Sequence, residues 1–165
     1  MGVPTWTGAP TYAGWFQRVG AYLLRSLMPL PVIIVGWIIA VVIGDVGVLV
    51  LVLAYVVGFV MTIRLMIQRA HLGYDAADAI VGTNLVRDAT GVPMGSGWSV
   101  FGRAILHIVD TLPFYLGFLW PIWDAKKQTF ADKIVKTVVV ERPQVHSAGV
   151  LFRNALELWK PVLKS

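Results

Sequence analysis

Arg103, His107 and Asp110 stand at i, i+4 and i+7, so they share one helix face. A guanidinium, a titrating imidazole and a carboxylate on one stripe can form a buried ion pair, or can pass a proton or a cation along the face. They fall in Trp98–Trp123, an apolar segment in which ionisable groups are costly and are functional candidates by default. Arg103 and His107 lie near its start, where lipid headgroups could also receive them, and Asp110 lies deeper. Arg18 and Arg25 are seven residues apart and also share a face, separated by roughly 10.5 Å of helix rise. Arg18 reads as interfacial. Arg25 is nearer the apolar run, where a charge costs roughly 2.5–3.5 kcal/mol unless it snorkels or is paired. Asp110 and Asp132 are the candidate partners, and we expect Arg25 to pair with Asp110. A further stretch, Asp124-Ala-Lys-Lys-Gln-Thr-Phe-Ala-Asp132-Lys-Ile-Val-Lys-Thr137, mixes both charge signs directly after the apolar segment and then turns β-rich.

Enzyme chemistry has no foothold here. No Gly-x-Ser-x-Gly elbow, His-Glu-x-x-His pair, phosphate loop or dinucleotide fingerprint occurs. The three histidines, at 71, 107 and 146, are widely spaced, and there is no cysteine. We therefore expect no enzyme, no cofactor and no metal.

The elements that must hold these residues are set by one feature. From Ser26 to Ile63 the only charged side chain is Asp45. Such a run accommodates two membrane helices of roughly 20 residues. With 57% hydrophobic and 14% charged residues, and a mean hydropathy of +0.72, the whole chain leans toward lipid. The first helix is expected over about Gly14–Ile43, kinked by Pro29 and Pro31. Its initial part, Gly14–Leu27, lies at the interface, with Trp15, Phe16 and Tyr22 at headgroup level. Gly44–Gly47 forms a turn, and the second helix covers about Val48–Met66. Gly36, Ala40, Gly44, Ala54 and Gly58 recur at helical spacing, which suits close packing within this pair or self-association. Ile67–Gly97 reads as polar and extramembrane. A small β-hairpin is expected over Leu85–Met94 around Asp88-Ala89-Thr90-Gly91, with Thr137–Val140 as an added strand.

Topology follows from charge. Arg18 and Arg25 precede the first span, Arg64, Arg69 and Arg87 follow the second, and the turn between them has no basic residue. Both ends of the pair are therefore assigned to the cytoplasm. Eight more basic residues follow Trp123, so we favour a broken, re-entrant third segment turning near Thr111–Pro113. A single full crossing is the alternative. No cleavable signal peptide is read at the N-terminus. Val150–Leu163 reads as an amphipathic helix with Leu151, Leu156 and Trp159 on one side and Lys160 on the other. It lies on the membrane surface or docks to a partner.

Arg18, Ala21, Arg103 and the Asp124–Thr137 stretch together resemble the RDD family of small bacterial membrane proteins, over roughly residues 14–142. The resemblance implies a two-to-three-span membrane domain and a transport role, including cation/proton exchange, for some members. The family's in-helix aspartate would fall at position 25, which here is arginine. Its cytoplasmic Gly-Lys pair is absent around Gly73–Ala79. A proton-coupled site needing that carboxylate would be compromised.

The expected fold class is an all-α membrane protein. It has a transmembrane helical hairpin, a broken or re-entrant third segment, a small cytoplasmic β element and an amphipathic C-terminal helix. Residues 1–13 are expected to be a flexible N-terminus, 14–142 the RDD-like membrane domain and 143–165 the amphipathic tail. The expected place is the bacterial cytoplasmic (inner) membrane, multi-pass, with both termini cytoplasmic. The net charge of +5 suits anionic headgroups; no nucleic-acid partner is expected. The expected role is an auxiliary or assembly subunit of an envelope or transport complex, with a membrane-protein partner or a homo-oligomer. The alternative is a small oligomeric cation/proton-coupled transporter.

Overall fold

The computed structural model describes residues 9–111 and 114–142. The proposed tail helix with Leu151, Leu156, Trp159 and Lys160 lies outside the described residues. The rest is mostly helical, with one antiparallel pair of strands.

Helix α1 spans Trp15–Leu27 and α2 spans Leu30–Ile43. The single kinked helix expected over this stretch is thus two helices, divided at Met28–Pro29. Pro31 falls in the first turn of α2, where a missing N–H breaks no helical bond. A short 3₁₀ turn at Gly44–Val46 leads into α3, Gly47–Leu72, which runs on past the expected end at Met66. Gly73 closes it in the left-handed conformation (φ 80°) and donates its N–H to the Arg69 carbonyl at 3.0 Å.

The stretch from α1 to α3 contains a window of mean hydropathy 2.7, apolar and long enough to cross a membrane, of which only 17% is buried in the fold. Val42 is 81% exposed and Leu49 70%. Water would not tolerate so large a bare apolar surface. α2 and α3 meet through small residues. A Cβ on Gly36 would stand 2.3 Å from that of Ala54, and one on Gly47 would meet the Ala40 carbonyl oxygen at 2.2 Å. Gly36→Leu should therefore separate the helices and cost about 1–3 kcal/mol of stability. Gly102 in α5, with no atom near its added Cβ, provides the control: Gly102→Ala should leave the detergent melting temperature unchanged or slightly raised. Equal melting temperatures for the two variants would remove the tight seam.

Beyond α3 the chain builds a small second layer. It comprises α4 (Ala76–Val81), β1 (Thr83–Arg87), α5 (Gly97–Thr111), α6 (Leu116–Leu119), α7 (Phe130–Val135) and β2 (Thr137–Glu141). β1 and β2 pair antiparallel, with Leu85 opposite Val139 and Arg87 opposite Thr137. The hairpin expected within Leu85–Met94 is corrected: β1 turns at Arg87–Gly91 but has its strand partner in β2. Pro93 lacks the N–H a returning strand would need. Thr137–Val140 does form a strand, as the β-branched run suggested. On one face of the pair Leu85 and Val139 are buried with Ala13, Ala70, Met94 and Val100; on the other Val86, Val138 and Val140 are buried against Tyr12. Thr11 and Ala13, expected to belong to a loose N-terminus, hydrogen-bond to the other edge of β2 through Glu141 N and Val139 O.

α6 continues through a 3₁₀ turn, Trp120–Ile122, and Leu116–Ile122 is termed the α6 segment. α5 and this segment are set at 109° to each other and are together apolar and long enough to cross a membrane. A Cβ on Gly117 would lie 2.5 Å from Asp110 Cα, so only glycine lets α6 approach α5 this closely.

Candidate functional site

Every charged side chain that sequence placed on α1 and α5 turns inward to a buried network. Arg18 and Arg25 share one face of α1, as their spacing requires. Arg18 Nη1 donates to Asp132 Oδ2 at 2.7 Å, and Arg103 from α5 donates through Nε to Asp132 Oδ1 at 2.7 Å. One fully buried carboxylate thus holds two guanidiniums. Seven residues further along α1, Arg25 donates to Asp75, and its Nη2 lies 2.9 Å from Asp78 Oδ2. Arg69, from the end of α3, donates to the same Asp78 oxygen at 2.8 Å. The expected Arg25–Asp110 pair is therefore wrong. Asp110 Oδ2 is engaged by His107 Nδ1 at 2.5 Å and Oδ1 accepts from Ala131 N at 3.1 Å. Arg18 is no headgroup residue but part of the buried lock.

The stripe Arg103-His107-Asp110 is consequently divided. His107 and Asp110 pair, while Arg103 reaches α7. Asp124 stands apart on the surface side, where Lys133 Nζ lies 2.5 Å from Oδ1 and the Lys126 and Gln128 N–H groups donate to Oδ2. It shapes the turn that presents α7.

The two halves of the network are built alike. In the first, Asp75 caps α4: its Oδ1 accepts from Asp78 N at 2.9 Å while Asp78 Oδ2 accepts from Asp75 N at 3.3 Å. In the second, Thr129 caps α7: its Oγ1 accepts from Asp132 N, and Asp132 Oδ2 accepts from Thr129 N, both at 3.2 Å. Both are capping boxes. Each six-residue helix ends on a left-handed residue, Gly82 or Lys136. Each is followed by a strand whose first threonine, Thr83 or Thr137, donates back to the aspartate five residues earlier. The sequence carries this repeat openly: Ala77, Asp78, Ile80, Val81, Thr83 and Val86 recur as Ala131, Asp132, Ile134, Val135, Thr137 and Val140. The second copy stands out in the sequence beside the apolar segment; the first does not, although aligning the chain with itself pairs Asp78 with Asp132, while Arg69 and Asp75 have no counterpart in that alignment.

Burial alone would raise the carboxyl of Asp132, but the guanidiniums of Arg103 and Arg18 overcome it and hold that carboxyl below the ordinary range. For Asp78, burial is likewise outweighed by Arg69 and Arg25. A carboxyl depressed in the folded state adds stability above its unfolded value and loses it as acid approaches the folded value. The melting temperature in detergent should hold from about pH 7 to about pH 4 and then fall as the unfolded chain takes up protons the folded one refuses. A loss already complete above about pH 5 would assign it to groups other than these aspartates.

Arg18, Arg25, Arg69 and Arg103 also line a cavity of about 560 Å³ between α1, α5 and the α6 segment, with His107, Tyr115 and Phe118. His107 stacks on Phe118, ring centres 5.5 Å apart. No group of three or more metal-ligating side chains occurs among the described residues.

The RDD family model matches residues 12–136. A proline-rich antigen homolog of Mycobacterium tuberculosis (strain H37Rv) is 40% identical over 73 residues, 44% of this chain and 30% of that protein. The proline-rich antigen of Mycobacterium leprae (strain TN) is 39% identical over 71 residues, 43% of this chain and 28% of that protein. The matched stretch thus spans less than a third of these relatives. No solved structure matches.

Proposed function

Because the chain belongs to the RDD family, we propose that it is a non-enzymatic, multi-pass protein of the bacterial cytoplasmic membrane that serves as an auxiliary or assembly subunit of a larger envelope or transport complex. α2 and α3 act as its transmembrane hairpin, and α5 with the α6 segment enters and leaves from one side. The two-stranded layer and both termini face the cytoplasm, where the basic residues meet anionic headgroups.

The observation that carries this reading is the state of the buried carboxylates. Asp75, Asp78, Asp110 and Asp132 are all fully buried, and each is engaged by an arginine or by His107. Carboxylates saturated in this way bolt α1, α3 and α5 to the cytoplasmic layer and offer no open seat to a travelling cation. Affinity purification of the full chain in mild detergent tests the reading. A stoichiometric second protein supports it, and a pure homo-oligomer counts against it.

The transporter reading has one specific support, the His107–Asp110 pair beside the cavity. In proteoliposomes it requires a proton flux, coupled to a cation gradient, that Asp110→Asn abolishes.

A further inference from the structure

The two halves of the network differ at one informative position. The first caps its short helix with a carboxylate, Asp75; the second uses a hydroxyl, Thr129. Arg25 therefore meets two carboxylates. Arg18 and Arg103 share one, Asp132, and that trio sums to one positive charge. The Arg18 side chain is only 10% exposed. The outer Nη2 nitrogens of Arg18 and Arg25 are both buried without a hydrogen bond, but that of Arg25 has the Asp78 carboxylate 2.9 Å away, whereas no second carboxylate among the described residues pairs with Arg18. Asp110 pairs with neither arginine: its oxygens are taken by His107 and Ala131 N. A buried charged donor is costly to leave unpaired.

The space around this trio has the shape of a ligand site. Arg18, Arg103 and Thr129 line the cavity of about 560 Å³, within the ~300–1,000 Å³ usual for small-molecule sites. The rest of its wall is largely apolar, including Val19, Ala21 and Pro121. Its most exposed aromatic lining residues are Tyr22 (64%) and Tyr115 (63%), flanked in sequence by exposed Leu23 and Phe114. Exposed apolar and aromatic surface thus adjoins the cavity.

We propose that this cavity binds one anionic phospholipid drawn from the surrounding bilayer, with its phosphate against the Arg18 and Arg103 guanidiniums where they line the cavity and an acyl chain along the apolar wall. The inference rests on the membrane placement of the chain, but not on its role as a subunit. The internal repeat acts as a control: the half with a second carboxylate neutralises its own arginines, and the half without one takes its anion from outside.

The test uses the full chain purified in mild detergent, with native mass spectrometry and thermal melts during titration with phosphatidylglycerol, phosphatidylcholine or inorganic phosphate. One phosphatidylglycerol per chain should be retained, about tenfold more tightly than phosphatidylcholine, because both present the same phosphodiester but the choline cation meets the surplus positive charge of the trio. Inorganic phosphate should neither shift the melt nor compete. Thr129→Asp supplies the carboxylate that the first half already has and keeps a good helix cap, so the preference for phosphatidylglycerol should vanish. Ala104→Trp, at an exposed position of the cavity wall, should weaken retention of both lipids without changing the lipid-free melt, and decides alone if Thr129→Asp does not fold. Equal binding of the two lipids by the unaltered protein overturns the proposal, as does phosphatidylglycerol retention untouched by Ala104→Trp. Saturation by inorganic phosphate would make this a soluble-anion site instead. A chain absent from the membrane fraction would fail the membrane placement itself, a result separable from lipid-free protein that inserts normally.

Discussion

Asp132→Ala is expected to be the most destabilising single substitution in this chain. The side chain is fully buried and has three tasks at once. It neutralises Arg18 and Arg103, caps α7 through Thr129 N and accepts from Thr137 at the start of β2. Removing one partner of a buried ion pair costs about 3–5 kcal/mol, mostly because the survivor is left charged and dry. Here there are two survivors, so the loss should stand at the upper end of that range or above it. Since folded domains have only about 5–15 kcal/mol in hand, the variant should lose most of its yield on detergent extraction or melt far below the unaltered protein. Asp132→Asn keeps the cap geometry but not the charge, and should fall between. Rescue should require both arginines: Arg18→Leu or Arg103→Leu alone leaves one guanidinium stranded. A melt for Asp132→Ala within a few degrees of the unaltered protein would mean that the trio is hydrated, and would remove the lock.

Much of this lock was legible in the sequence, but not its wiring. Arg18, Arg25, Arg103 and Asp132 stood out because charges beside apolar runs are costly, and that reasoning does not depend on the fold. The partner of Arg25 was missed for a specific reason. Ile67–Gly97 reads as polar and extramembrane by composition, and nothing in that composition marks Asp75 and Asp78 as buried. In the structure α3 continues to Leu72 and α4 begins four residues later, which brings both acids beneath α1. Only tertiary packing distinguishes a solvated aspartate from a buried one at a helix cap. The misplaced hairpin has the same origin: a local turn signal at Asp88–Gly91 was correct as a turn, while the strand partner lay in β2, beyond the reach of local pattern. The repeat of Ala-Asp-x-Ile-Val-x-Thr at 77–83 and 131–137 would have corrected both, because two copies of one strap-and-strand unit imply two equivalent aspartates and two strands to pair.

The repeat makes a second large effect predictable, with a different rescue. Asp78→Ala should cost about 3–5 kcal/mol by stranding Arg69, whose described carboxylate contact is Asp78 alone. Arg25 is spared part of the loss because it keeps Asp75. One arginine, not two, is therefore left unpaired. Asp78→Leu combined with Arg69→Leu should recover much of the stability in a single step, since it removes one charge of each sign and leaves Arg25 with Asp75 as a neutral pair. Asp75→Ala should cost less than Asp78→Ala, because both arginines retain Asp78. The expected order of melting temperatures is Asp75→Ala above Asp78→Ala above Asp132→Ala. That order follows the number of guanidiniums each loss leaves without a carboxylate: none, one and two. Detergent melts of the three single variants, with the Asp78→Leu/Arg69→Leu double variant, measure it directly. If Asp75→Ala proved the worst of the three, or if the double variant melted no higher than Asp78→Leu, charge balance would not be what holds α1 to the rest of the fold. The helix caps, which all three substitutions also disturb, would then be the dominant contribution.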